Sequence, residues 1–410
     1  MTSDILLLFI LSLITLSFLF ETWLDILNAK YFSQPIPEAL SDVYDQEAYT
    51  KSQAYKKEKF RFGLLQSILS FIVIFLLFAL GGFGELDAYV RGAFDDEVWV
   101  TLIFFGVLLL ASSVLQLPFS YYATFVIEEK YGFNKSTKAT FFLDTIKSLL
   151  LSVTLGGLIM WALLSLYAYF GADFWWTAWI FITIIMLLLN LFYTKLFVPL
   201  FNKQYPLEEG SLRDKIEAYA KKVGFDLPTI KVIDGSKRST KANAYFSGFG
   251  KQKQITLYDT LINDLEEDEI VAVLAHEVGH YKRKHIIFNL TNSIATTGLM
   301  LWMLSLCLEL PIFAEAVGAS QPSFHIALLV FGVLYSPISH LLGIVSNVIS
   351  RKFEYQADDY AKYTWNAKDL ISSLKKLSKN SFSNLTPHPL YEWYYYSHPS
   401  LLKRVNNLNR

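Results

Sequence analysis

The chain has 410 residues, a single cysteine and a formal charge of −1, from 36 Lys+Arg against 37 Asp+Glu. The lone Cys307 excludes a disulfide framework, a four-cysteine zinc module and a C-x-x-C redox pair, and the balanced charge offers nucleic acid no basic field. Charged residues are only 18% and the apolar set 53%, against about 25% charged in a soluble protein, so much of the mass belongs in lipid.

Seven apolar blocks are long enough to cross a bilayer, which takes about 20 residues per helix. They are Ile5–Leu24, Phe62–Phe83, Val98–Phe119, Leu149–Phe170, Trp175–Phe197, Ile286–Leu310 and Phe324–Ile349. The first lacks a basic n-region and an A-x-A-like site, so it is expected to be retained rather than cleaved as a secretory signal. Trp23, Trp175, Trp176 and Tyr193 sit at block ends, as interfacial anchors do.

Basic residues set the orientation. The first loop holds Lys30, Lys51, Lys56, Lys57, Lys59 and Arg61, and the third Lys130, Lys135 and Lys138, whereas the second has only Arg91 among five acids. This predicts an N-terminus outside or in a lumen and a cytosolic C-terminus. The segments are then five spans with their loops (1–201), a cytosolic α+β part (202–285), spans six and seven (286–349) and a cytosolic tail (350–410). The first polar part reads as a helix over Ser211–Val223 and a strand over Thr229–Ile233. A hairpin of Ala244–Ser247 and Gln254–Tyr258 around Gly248-Phe249-Gly250 follows. The next helix is expected to take Asp264 as N-cap and Glu267 as its capping-box partner.

That helix carries His276-Glu277-Val278-Gly279-His280. One turn apart, His276 and His280 project from one face and can reach a single zinc, and Glu277, about 100° round the helix, can act on water as a base without being a ligand. Two histidines leave such a site one protein ligand short. Beyond span seven, Asn347, Arg351, Glu354 and Asp358 fall on one helical stripe. A solvated face would look the same, but the missing ligand favours Glu354. Asp358, one turn on, would hydrogen-bond a ligating histidine or the reacting groups, and Arg351 would hold either carboxylate.

This H-E-x-x-H followed by Ser350-Arg351-x-x-Glu354-x-x-Ala357-Asp358 resembles the type I CAAX prenyl proteases, seven-span zinc metalloproteases of the gluzincin group. Glu128-Glu129-Lys130-Tyr131-Gly132-Phe133-Asn134-Lys135, Asn243-Ala244-Tyr245 and Ser397-His398-Pro399 with Arg404 extend the likeness over nearly the whole chain. The resemblance implies a mostly α, polytopic membrane protein. Its helical barrel would surround a chamber, with a small α+β zinc protease domain on the cytosolic side. It implies one zinc ion per chain on His276, His280 and Glu354, with Glu277 as base and Asp358 as acid or proton donor. It also implies removal of three residues after a prenylated cysteine.

In the mechanism expected from the residues, Glu277 takes a proton from a zinc-activated water, which attacks the scissile carbonyl. His398, beside Tyr394-Tyr395-Tyr396, is the candidate second donor to the oxyanion. Asn243-Ala244-Tyr245 reads as an edge strand able to pair with an extended peptide, Asn243 fixing one carbonyl. Arg404 and Arg351 are weaker substrate or transition-state candidates. Lys282, Arg283 and Lys284 read as a headgroup-facing cluster. His340, inside span seven, reads either as chamber lining or as a packed, hydrogen-bonded group, with Asn190 and Gln116 similar. His285, His325 and His388 read as structural.

The partners expected are a peptide or protein substrate, C-terminally prenylated or otherwise close to the membrane, and membrane lipid. The chain is expected to act as a monomer, in a bacterial inner membrane or the ER. A quality-control metalloprotease without prenyl specificity is the alternative, although small heat-shock proteases of that kind have fewer spans. A site-2 protease would bury its H-E-x-x-H inside a span, whereas here acidic and basic clusters flank it. A transporter with regulatory zinc would need polar mid-span groups in more blocks.

Overall fold

The computed structural model describes residues 2–226, 229–247 and 253–410. Seven helices have the length and composition to cross a membrane: Ser3–Tyr31, Gln46–Ala79, Glu97–Glu128, Lys138–Phe170, Phe174–Phe201, His285–Ser305 and Phe324–Thr364, spans 1 to 7. Most outrun the expected apolar blocks because the helix continues into polar sequence. Span 2 gains a turn-rich polar start capped by Asp45, whose carboxylate accepts from Ala48 N–H at 2.7 Å. Span 6 is shorter and ends at Ser305, short of the expected Leu310.

Each span packs on the next in sequence, and span 7 packs back on span 1, so the seven close into a ring. Only 6–17% of the apolar stretch of each is buried, far too little for a filled bundle. The ring is therefore hollow. One end is plugged by an apolar core that gathers Leu6, Phe78, Phe104, Leu164, Phe174, Leu304 and Phe331 from all seven spans. Within this plug His325 is fully buried, 2.7 Å from Asp87 Oδ1 and 3.0 Å from Thr101 Oγ1. Here it joins spans 3 and 7 with the helix Gly82–Arg91.

The other end carries a small α+β layer. Its sheet has four strands, β1 (Gln204–Pro206), β2 (Ile230–Ile233), β3 (Ala244–Ser247) and β4 (Gln254–Tyr258), in the order β1-β2-β4-β3. The β3–β4 pair is antiparallel with Ala244 opposite Leu257, and β2–β4 is parallel. The turn expected at Gly248-Phe249-Gly250 lies outside the described residues. β1, three residues ending in a proline, is an edge strand that the sequence reading did not contain.

Two helices beside this sheet carry the H-E-x-x-H histidines and Glu354. The helix Glu267–Lys282 is capped by Glu266 in a reciprocal box with Glu269, not by Asp264. Asp264 instead ends a separate short helix, Asp259–Asp264. The Glu267–Lys282 helix lies along the C-terminal half of span 7, and the two share a core around Val271, Leu274, Ala275 and Ala361. The short helices Pro389–Tyr395 and Leu401–Leu408 close over them.

Candidate metal centre

The histidines arrive from one helix and the carboxylates from another, as the helical repeat dictates. His276 and His280 lie one turn apart in Glu267–Lys282, and Glu354 and Asp358 one turn apart in span 7. The Nε2 atoms of His276 and His280 face each other at 3.1 Å. Glu354 stands against both, Oε2 3.4 Å from His276 Nε2 and Oε1 3.2 Å from His280 Nε2. Each of the three offers one ligand atom, all within 4.8 Å of one another.

These residues fit a divalent cation. Among the described residues, the two facing imidazole nitrogens have only each other and one carboxylate beside them. Glu354 is 3% exposed, and its buried Oε2 has no hydrogen-bond partner among the described residues. That oxygen has only the His276 imidazole at 3.4 Å and Arg404 Nη1 at 3.6 Å beside it; a buried carboxylate oxygen so weakly satisfied costs free energy, and an ion held by two imidazoles and a carboxylate would remove that cost.

Behind His276 lies a second layer. Its Nδ1 is 2.9 Å from Asp358 Oδ1, and Arg404 donates to both oxygens of Asp358, Nε to Oδ2 at 2.9 Å and Nη2 to Oδ1 at 2.5 Å. Burial and the Arg404 guanidinium push the His276 imidazole down, but the Asp358 carboxylate on its Nδ1 and the adjacent Glu354 carboxylate outweigh both and hold it up at about 9.

A cavity of about 390 Å³ opens on this cluster and is lined by His276, Glu277, His280, Glu354, His398, Arg404, Asn243 and Ala244. His398 Nε2 is 3.3 Å from Glu354 Oε1, and its side chain is largely exposed. Glu277 is half-buried, one helix position from the histidines. β3 enters at the cavity edge, and the Asn243 side chain accepts from Ala244 N–H at 2.9 Å.

One expectation needs correction. Arg351 holds neither carboxylate; its guanidinium donates to the carbonyls of Glu392 and Tyr396, and Asn347 donates to Tyr394 O at 2.7 Å. These bonds tie the end of the Pro389–Tyr395 helix to span 7 and so place the Ser397-His398 segment. The carboxylate-holding arginine is Arg404. Asp358, expected to hydrogen-bond a ligating histidine or to act as acid, is fully buried behind His276 with contacts to both oxygens.

The remaining histidines sort by contact. His340 Nδ1 meets the Tyr394 hydroxyl at 2.7 Å, and the ring also lines a cavity between spans 1, 2 and 7 with Glu21 and Gln66. His388 caps the Pro389–Tyr395 helix. His285, expected to be structural, contacts His280, with its Nδ1 3.0 Å from His280 Nδ1.

A hollow ring of seven membrane-length helices with a buried His-His-Glu cluster at its polar end defines a multi-pass membrane protein with a candidate metal centre. Residues 25–203 match the family described as CAAX prenyl protease N-terminal, five membrane helices, and residues 206–410 match peptidase family M48. The chain is 36% identical to "CAAX prenyl protease 1 homolog" of Oryza sativa subsp. japonica, over 97% of this chain and 96% of that one. It is 35% identical to "CAAX prenyl protease 1" of Saccharomyces cerevisiae, over 96% and 92%. It overlays the crystal structure of S. mikatae Ste24p with a TM-score of 0.94, at 33% identity, over 99% of both chains. The chain belongs to the CAAX prenyl protease branch of peptidase family M48 and is a metalloprotease of the membrane.

Proposed function

We propose that this chain is a zinc endopeptidase that cuts near the C-terminus of prenylated CAAX proteins, with its active site at the cytosolic rim of the ring and its N-terminus on the opposite side. The excess of basic residues in the first and third loops supports that orientation. The four-segment division at residues 201, 285 and 349 goes with it. The observation that carries the reading is the convergence of His276, His280 and Glu354 in one cavity that also holds Glu277 and the start of β3.

His276, His280 and Glu354 would hold the zinc, which when bound supplies Lewis acidity toward a peptide carbonyl and acidifies water. Asp358, gripped by Arg404, fixes His276 with its proton on Nδ1 and its lone pair on Nε2. Glu277 takes the proton of the attacking water and returns it to the leaving amine. His398 donates to the oxygen of the tetrahedral intermediate.

Among the described residues, β3 pairs on one side only. Asn243 O accepts from Tyr258 N–H, so strand alternation turns the backbone groups of Ala244 and Phe246 to the free edge. An extended substrate would add there as a further strand, delivering its scissile carbonyl to Glu277. The test is metal analysis together with cleavage of prenylated and unprenylated C-terminal peptides. Stoichiometric zinc and preference for the prenylated peptide are expected. Equal rates would remove the lipid specificity and leave the protease.

A further inference from the structure

The two histidines of the H-E-x-x-H helix are oriented from behind by different means. His276 has a carboxylate, Asp358, on its Nδ1. His280 has no carboxylate there; its Nδ1 faces Nδ1 of His285 at 3.0 Å, and Nε2 of His285 faces Oε1 of Gln356 at 2.8 Å. We propose that His285 and Gln356 form a neutral positioning relay that fixes the tautomer of His280 with its Nε2 lone pair turned to the metal. It rests on the reading of His280 as a ligand.

The proton positions follow from what each atom can do. A neutral imidazole carries one N–H and one lone pair, and an amide oxygen only accepts. Gln356 Oε1 therefore takes the Nε2 proton of His285. That leaves a lone pair on His285 Nδ1, which can only accept from His280 Nδ1–H. Nε2 of His280 is then bare, on the side of Glu354 and His276. Reversing the relay would put the proton on Nε2 of His280 and close it to a cation.

The fold holds the relay in place. Lys284 takes a left-handed conformation, φ 61°, uncommon for a residue with a Cβ. The turn it makes brings His285, first residue of span 6, back against His280. His285 is 2% exposed, and its ring stacks on Phe353 at 4.0 Å with the planes 9° apart. Phe353 and Gln356 flank Glu354 on span 7. The same stretch of helix thus supplies the third ligand and both groups that set the His285 ring.

The test measures zinc affinity of chelator-stripped protein in detergent, by competition with a chromophoric chelator, and the visible spectrum after Co(II) replacement. His285→Phe keeps an aromatic ring for the stack but removes the acceptor, and should weaken zinc binding about 10- to 100-fold. Gln356→Leu should weaken it in the same direction, whereas Gln356→Glu, still an acceptor, should stay within about threefold of wild type and keep its Co(II) spectrum. Wild-type affinity in folded His285→Phe, or equal affinity for the two Gln356 variants, would overturn the relay. Should His285→Phe not fold, the Gln356 pair decides alone. His280→Ala separates the two layers. Full zinc affinity in that variant would sink the ligand assignment itself, whereas loss there with wild-type affinity in His285→Phe would sink only the relay.

Discussion

Gly279 packs so closely on Ala357 that a methyl group added to it would lie 3.0 Å from the Ala357 Cα and 3.1 Å from the Tyr360 Cβ. The contact joins the helix that carries the histidines to the helix that carries Glu354, and it sits between His276 and His280. Glycine at this point sets how near the two helices come, and so whether three ligands can reach one ion.

Gly279→Ala should accordingly push the two helices apart by a few tenths of an ångström. Overpacking of this kind costs about 1–3 kcal/mol, and the displacement also spreads Glu354 from the imidazoles. The expected outcome is a lower unfolding temperature and weaker zinc retention on dialysis. A variant with wild-type zinc content and turnover would show that the helix spacing does not set the site.

Glu277→Gln should separate binding from chemistry. The side chain lines the cavity without standing among the three converging ligand atoms, so metal content should be unchanged. Removing the base should lower turnover by about 10²- to 10⁴-fold. Metal analysis and peptide cleavage on one preparation check both halves, and wild-type-like turnover would rule out Glu277 as base.

Much of this site was legible because helices repeat every 3.6 residues. That period alone puts His276 with His280 and Glu354 with Asp358, and apolar length alone marks the seven spans. Contacts between distant segments leave no such trace. Nothing local to Arg404 announces that it grips Asp358, 46 residues away, while Arg351, four residues after Asn347 on the ligand stripe, turns to the carbonyls of Glu392 and Tyr396. His285 gave no signal either, because its partner Gln356 lies on another helix and the turn at Lys284 that aims it is not a glycine. β1 escaped because three residues ending in proline carry no alternation.

Arg404→Met should be severe for a reason separate from catalysis. Asp358 is fully buried and depends on that guanidinium for two hydrogen bonds. Removing one partner of a buried pair leaves an uncompensated charge and costs about 3–5 kcal/mol. The double variant Arg404→Met with Asp358→Asn removes the stranded charge as well, and should recover part of the lost unfolding temperature while zinc affinity stays low. Thermal unfolding in detergent reads the first effect and chelator competition the second. Equal unfolding temperatures for the single and double variants would show that the pair is not coupled.

The raised His276 imidazole predicts how zinc uptake varies with pH. Its folded value of about 9 lies above the ordinary 6.5, because the Asp358 carboxylate that accepts from it and the adjacent Glu354 carboxylate overcome burial and Arg404. In chelator-stripped protein the protonated form is therefore the favoured one at neutral pH. The stability it contributes is fully present below about 6.5 and fades as pH rises through about 9. A cation can bind Nε2 only after the proton leaves. Apparent zinc affinity should thus climb with pH from about 6.5 and level off near 9, by up to about tenfold per unit for one proton released. Chelator competition at pH 6.5, 7.5 and 8.5 measures the slope. In Asp358→Asn, where the main upward influences on His276 are reduced, the plateau should come at lower pH even though the absolute affinity falls. A flat profile in the wild-type protein would mean that His276 gives up no proton to the metal.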